Sequence, residues 1–132
     1  MNFEVKSPIL GFEGVTRMSL ERLEENDELF MRLRNCDGEA PTFTMVNPFM
    51  LRNYVFEMPI AIQALLDVRE NTSLLILNMM VIASPLENST INFLAPVVFN
   101  FDNQTMGQVV LESMKYPEYG IAEPISGFFT NE

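Results

Sequence analysis

The chain has 132 residues, 48% of them apolar, with 11 Phe, 10 Met and no Trp, which is ample core material and argues against disorder. Its 18 acidic and 8 basic residues give a formal charge of −10, so direct binding of DNA or RNA is not expected, because affinity for phosphate backbones comes largely from Lys and Arg. With no His and a single Cys, the sequence lacks the parts for His-based nucleophiles, the usual zinc sets or an internal disulfide.

The opening stretch MNFEVKSPILGFEG has no apolar run of signal-peptide length, and Glu4 and Lys6 interrupt it early. NFEVK (Asn2 to Lys6) and VTRMSL (Val15 to Leu20) read as strands. The run ERLEENDE (Glu21 to Glu28) reads as a loop or brief helix joining two strands. It lacks the Asp/Asn spacing and central Gly of a calcium loop, so it is expected to be an exposed acidic face. LFMRLR then alternates Leu29, Met31 and Leu33 against Phe30, Arg32 and Arg34. An Asp37-Gly38 turn and the return strand TFTMV (Thr42 to Val46) complete a hairpin. Cys36 sits beside that turn with Asp37 and Glu39 as neighbours, whose charge opposes a thiolate, so no catalytic role is expected of it.

VNPFMLRNYVFEMP (Val46 to Pro59) opens with Asn47-Pro48, a pair that breaks the preceding strand, and continues with Phe49, Tyr54 and Phe56. Loops carrying aromatics and Asn supply anchors at protein interfaces; the alternative is that the aromatics pack inwards and Asn47 caps a turn. PIAIQALLDV then starts a short helix, with Pro59 at a first helical position and Ile62, Leu65 and Leu66 on one side. LLILNMMVIA (Leu74 to Ala83) is apolar on both faces and is placed as a central strand, a buried helix being the alternative. Its ten residues fall short of the roughly 20 that a membrane-spanning helix needs.

The most patterned stretch runs from Ser89 to Leu111. Ile91, Phe93, Ala95, Val97, Phe99 and Phe101 fall on one face of a strand, with an edge or bulge implied at Pro96. DNQT (Asp102 to Thr105) offers a turn and GQVVL (Gly107 to Leu111) returns. After YPEYG the tail IAEPISGFFTNE leaves Phe128 and Phe129 in need of a covering surface.

About seven short strands with one or two short helices predict a mainly β fold, one domain over residues 1–132: a small antiparallel, strongly twisted, barrel-like sheet. Among carboxylates, Glu57 and Glu87 lie near strand ends rather than in a solvated run, but their spacing gives no support to paired acid-base catalysis. No glycine pattern resembles a phosphate-binding loop. An apolar small molecule inside the barrel is a second reading, although a barrel of this size is nearly filled by its own side chains.

Taken in order, SPILGFEG, VNPF (Val46 to Phe49), YVFEMP (Tyr54 to Pro59), ILNMMVIA (Ile76 to Ala83), STINFLAPVVFN (Ser89 to Asn100), and GQVVL followed by YP resemble the FliW family of bacterial flagellar assembly factors. The resemblance covers nearly the whole chain and implies a β-barrel regulator that works by binding proteins, with no catalytic, cofactor or metal residues. Its implied partners are flagellin and the translational repressor CsrA, bound in turn, so that the freed factor relieves repression of flagellin mRNA. A cytoplasmic monomer touching neither nucleic acid nor membrane is expected. The expected partner-binding patch is Asn47, Phe49, Tyr54, Phe56 and Glu57.

Overall fold

The computed structural model describes residues 1–128. Its strands are β1 (Asn2–Ser7), β2 (Arg17–Arg22), β3 (Phe30–Asn35), β4 (Thr42–Val46), β5 (Leu74–Val81), β6 (Thr90–Ile91), β7 (Val97–Asn100), β8 (Thr105–Gln108) and β9 (Glu123–Pro124). One short helix, α1 (Ile60–Leu65), and three single 3-10 turns complete it. Strands β1, β2, β3, β4, β5, β7 and β8 pair in that order and close into a seven-stranded barrel. Every pairing is antiparallel except the closing one, in which β8 lies parallel to β1. Closure leaves the seven strands no open edge for another chain to pair with.

Period-two patterning explains how the barrel fills. Phe3, Met18, Leu33, Met45, Leu77, Val97, Phe99 and Met106 point inwards from all seven strands, and none is more than 1% exposed. Burying each such side chain stabilises the fold by about 1.5–3 kcal/mol. The interior is therefore occupied by the protein's own side chains, and an apolar ligand inside the barrel finds no support.

A second core lies on the outside of the barrel wall. Val46, Met80 and Val98 face outwards and are covered by Ile62 of α1 and its C-cap Leu66, by Tyr54, and by Tyr119 and Ile125 from the C-terminal part. β5 sits between the two cores: Leu75, Leu77 and Met79 pack into the barrel while Leu74, Ile76 and Met80 pack outwards. That is why LLILNMM shows no polar alternation; a strand covered on both faces reads as a continuous apolar run.

Several expectations need correction. The stretch from Ile91 to Phe101 is not one strand with one buried face. It is interrupted at residues 92–96, and β6 and β7 pair one after the other with the same edge of β5. Leu111 N–H donates to Leu94 O, and Val109 N–H to Pro96 O, so the detour stays tied to the chain beyond β8. Pro96 lies at the break, where its missing N–H costs no ladder bond. Because of the detour, Phe93 joins the outer core while Val97 and Phe99 line the barrel. The return strand is Thr105–Gln108, and Val110 lies beyond it, 64% exposed. Pro59 is the N-cap of α1 rather than its first residue, and Leu65 is half exposed, leaving Ile62 and Leu66 to face the core.

The acidic run begins as the end of β2 and continues as a loop. There Asp27 Oδ1 accepts from the N–H groups of Leu29 and Phe30 and so starts β3. Phe128 finds its cover edge-to-face on Phe93, with ring centroids 5.4 Å apart. Phe129 lies outside the described residues.

Gly107 stands opposite Ser7 where β8 closes on β1, and a Cβ there would come within 2.7 Å of Ser7 Cβ and 3.3 Å of its backbone nitrogen. A Gly107→Ala change is expected to cost about 1–3 kcal/mol, as overpacking of a rigid junction does. Chemical denaturation of the two proteins side by side would measure it; an unchanged midpoint would mean that the closure yields easily.

Candidate functional site

After β4 the chain leaves the barrel and crosses the outer core as a strap, residues 47–59. Its entry is fixed locally. Asn47 Oδ1 accepts from Phe49 N–H at 3.0 Å, and Pro48 starts a 3-10 turn (Pro48–Met50) in which its ring costs no hydrogen bond. Phe49 and Met50 are left more than half exposed.

Arg52 then turns back under the strap. Nη1 donates to both carboxylate oxygens of Glu123 at 3.1 Å, and Nη2 to Glu118 O at 3.2 Å. Its guanidinium lies 4.9 Å from the ring centres of Phe93 and of Tyr119, and 5.7 Å from that of Phe128. A planar cation suits this position because it can pair in its plane and stack on its faces at once. Glu123 Oε2 also accepts from Gly120 N–H at 2.7 Å, so one ion pair joins the strap to β9 and the turn before it.

From Asn53 to Pro59 the strap alternates like a strand although it belongs to no ladder. Tyr54, Phe56 and Met58 turn towards the outer core, while Asn53, Val55 and Glu57 are exposed. The missing ladder partners are side chains. Tyr119 Oη accepts from Val55 N–H at 2.8 Å and donates to Val55 O at 3.0 Å. Tyr116 Oη accepts from Glu57 N–H at 2.9 Å, and Lys115 Nζ donates to Glu57 Oε2 at 3.0 Å. The hydrogen bond to Glu57 raises the Lys115 pKa. Tyr116 and Tyr119 stack 14° from parallel, so the turn presents its hydroxyls as a pair. Between strap and turn runs a groove of about 570 Å³.

Tyr54 is the deepest part of the strap, 3% exposed. Its hydroxyl donates to Phe93 O at 2.6 Å and accepts from Asn78 Nδ2 at 3.2 Å, and the same Nδ2 reaches Asn92 O at 2.9 Å. The rings of Phe49, Phe56, Phe93 and Tyr119 surround it at 4.8–6.0 Å. Burial raises the Tyr54 pKa and keeps the hydroxyl protonated as a donor, although the Asn78 hydrogen bond opposes the shift in part.

All five residues singled out in the sequence sit on this strap, but they play different parts. Tyr54 is corrected as an exposed contact, because its ring is core and its hydroxyl is used inside. Phe56 is half buried against Tyr54, and Asn47 caps a turn. Phe49 and Glu57 are open to solvent. Glu87 lies away from Glu57, in a separate groove, so the two do not form a carboxylate pair. Among the described residues no group of three or more His, Cys, Asp or Glu side chains could hold a metal ion. Sequence reading missed Arg52, Val55, Lys115, Tyr116 and Tyr119. The two tyrosines three apart in YPEYG were the available signal, since a Pro- and Gly-flanked turn holding two aromatics has a fixed shape.

Fold and site together define a small closed β-barrel with an aromatic-anchored strap laid over its outer wall. The FliW protein family model matches residues 1–125, and the chain belongs to the FliW family. It is 62% identical over 132 residues to flagellar assembly factor FliW 2 of Wolinella succinogenes, covering 100% of this chain and 95% of that one. It is 46% identical over 129 residues to flagellar assembly factor FliW of Campylobacter lari, covering 97% and 96%. The Sulfurimonas denitrificans FliW gives 46% over 127 residues, covering 96% of each chain. A crystal structure of a flagellar assembly factor FliW superposes with a TM-score of 0.84 over 99% of this chain and 87% of the other; at 20% identity it speaks for the fold. The family is named for an assembly role and not for a reaction. Among the described residues no helix is long and apolar enough to cross a membrane.

Replacing Tyr54 by Phe removes one hydroxyl and leaves Phe93 O short of its partner, which should cost about 1–3 kcal/mol. The pH dependence separates this from general damage. The folded pKa of Tyr54 lies above the unfolded value near 10, so its contribution is complete below about pH 10 and is lost as pH rises towards the folded value. Denaturation midpoints of wild type and Tyr54→Phe should therefore converge above about pH 10; parallel curves would show that the hydroxyl is not buried.

Proposed function

We infer that this protein is a cytoplasmic flagellar assembly factor that acts by holding other polypeptides and performs no bond chemistry. It binds flagellin and the repressor CsrA in turn, and its release from flagellin frees it to take CsrA off flagellin mRNA. The observation that carries this reading is membership of the FliW family along almost the whole chain, at 46–62% identity to named assembly factors.

Two features of the molecule support it. The charge of −10 suits a partner that grips RNA with basic residues: complementary fields speed the encounter, and a docked acidic body repels phosphate. The strap, meanwhile, offers exposed apolar groups beside carboxylates. Phe49, Val55 and Glu57 form its outer surface, with Asn47, Tyr54 and Phe56 fixing its shape from the side and beneath. Interfaces favour aromatic anchors held rigid before binding, because less freedom is lost on docking.

Purified protein on a column should retain purified flagellin and purified CsrA, each singly, and retained CsrA should no longer shift a flagellin leader RNA. Retention of neither would overturn the reading. A Phe49→Ala, Val55→Ser double variant, exposed at both positions, should stay folded, losing no more than the edge contact of Phe49 with Tyr54, while binding at least one partner about tenfold more weakly. Wild-type affinity for both would move the interface off the strap.

A further inference from the structure

The outer core runs out from under its cover at one end of the barrel wall. There Met80 and Ile125 of that core, and Phe30 packed against it, line an open groove of about 540 Å³ together with Leu23, Ile82 and Leu86. Six of its eight lining residues are apolar; Thr44 and Glu87 are the others. Ile82 and Leu86 are 53% and 63% exposed. Apolar surface gathered into one depression is what monomeric proteins ordinarily avoid unless it is used.

We propose that this groove takes the apolar stripe of an amphipathic helix whose flanks carry Lys or Arg. A helix fits better than an extended peptide because the floor has no free backbone. Met80 pairs with Thr44 on one side and with Ile91 on the other, so β5 cannot accept another strand there and only side chains remain to be read. Charge selects basic flanks. The corner between β2 and β3 that supplies Leu23 and Phe30 also carries Glu24, Glu25, Asp27 and Glu28, and Glu87 lies at the groove itself. The nearby cations are Arg22, whose Nη1 is taken by Glu25 O, and Arg32, which stands opposite Thr44 on β3. Glu87 alone lines the groove, and Asp27, Glu28 and Arg22 line a neighbouring depression, but five carboxylates to two guanidiniums leave this end of the molecule net negative, so an acidic helix would be repelled and a basic one drawn in.

This assignment rests on the reading of the protein as a polypeptide binder and adds a second surface, apart from the strap. The test uses a fluorescein-labelled synthetic peptide with Leu at helical i, i+3, i+4 and i+7 spacing and Lys on both flanks, and a copy with Glu for Lys. Wild-type protein should bind the Lys peptide and not the Glu peptide. Ile82→Glu should bind the Lys peptide about tenfold or more weakly, since it sets a charge where apolar contact is needed. Met114→Ser, at an exposed methionine outside the groove, should bind like wild type. Leu86→Ser carries the same expectation should Ile82→Glu fail to fold. Equal binding by wild type and the groove variants would overturn the proposal, as would preference for the Glu peptide. So would a wild-type dimer in sedimentation that Ile82→Glu abolishes, since a second copy would then be the occupant. Full-length flagellin and CsrA separate the two readings: capture of both equally by wild type and Ile82→Glu sinks the groove alone, and capture of neither by wild type sinks the function proposed above.

Discussion

The hydrogen bond from Tyr54 to the carbonyl of Phe93 holds the arrangement together. That carbonyl belongs to residues 92–96, where the strand is interrupted and its backbone groups have left the ladder. A buried carbonyl without a partner costs about 1–3 kcal/mol, so the detour is tolerable only with a donor placed beside it. Tyr54 provides the donor from a distant part of the chain, and Asn78 on β5 orients the hydroxyl. Strap, interrupted strand and barrel wall are thus mutually dependent, and the exposed surface at Phe49, Val55 and Glu57 inherits its shape from a bond beneath it.

This division explains how one small domain can be both rigid and adhesive. The barrel interior is closed and apolar and does no more than hold the wall in place. The outer core is only partly covered, by a strap, a two-turn helix and a short tail, and the covering pieces are pinned by polar groups at their edges: Arg52 to Glu123, Tyr119 to Val55, Tyr116 to Glu57. Partly exposed apolar positions therefore occur where the cover is thin, and the excess of carboxylates keeps such a surface from collapsing on its own kind.

Much of the fold was legible in the sequence because strand periodicity is a local property. The β3–β4 hairpin and the barrel class follow from alternation and turn residues, and the central placement of β5 from its unbroken apolar run. What failed did so for reasons that period two cannot encode. Phe93 and Phe99 share parity along the chain, yet the five-residue detour sends them to different cores. Leu65 lies on the same side of a helical projection as Ile62, yet it is Leu66, the C-cap of α1, that turns into the core while Leu65 stays half exposed. At the site, the aromatic strap was visible as a cluster, whereas the roles within it were not. Whether Tyr54 or Phe49 points outwards depends on Phe93 and Asn78, residues far away in sequence. Arg52 looked like any surface cation until Glu123 and three rings closed around it.

The parallel pairing of β1 with β8 has a consequence for biosynthesis. Residues 2–7 leave the ribosome about a hundred residues ahead of their neighbour, which is made only when residues 105–108 emerge to close the barrel beside them. At translation rates of about 5–20 residues per second, the nascent β1 waits on the order of 5–20 s with one edge unoccupied. Early strands can form the β1–β4 meander meanwhile, but the last seam must be sewn from the far end, so codon changes that slow translation before residue 105 lengthen the interval in which the unfinished sheet can be captured by a chaperone or a neighbour.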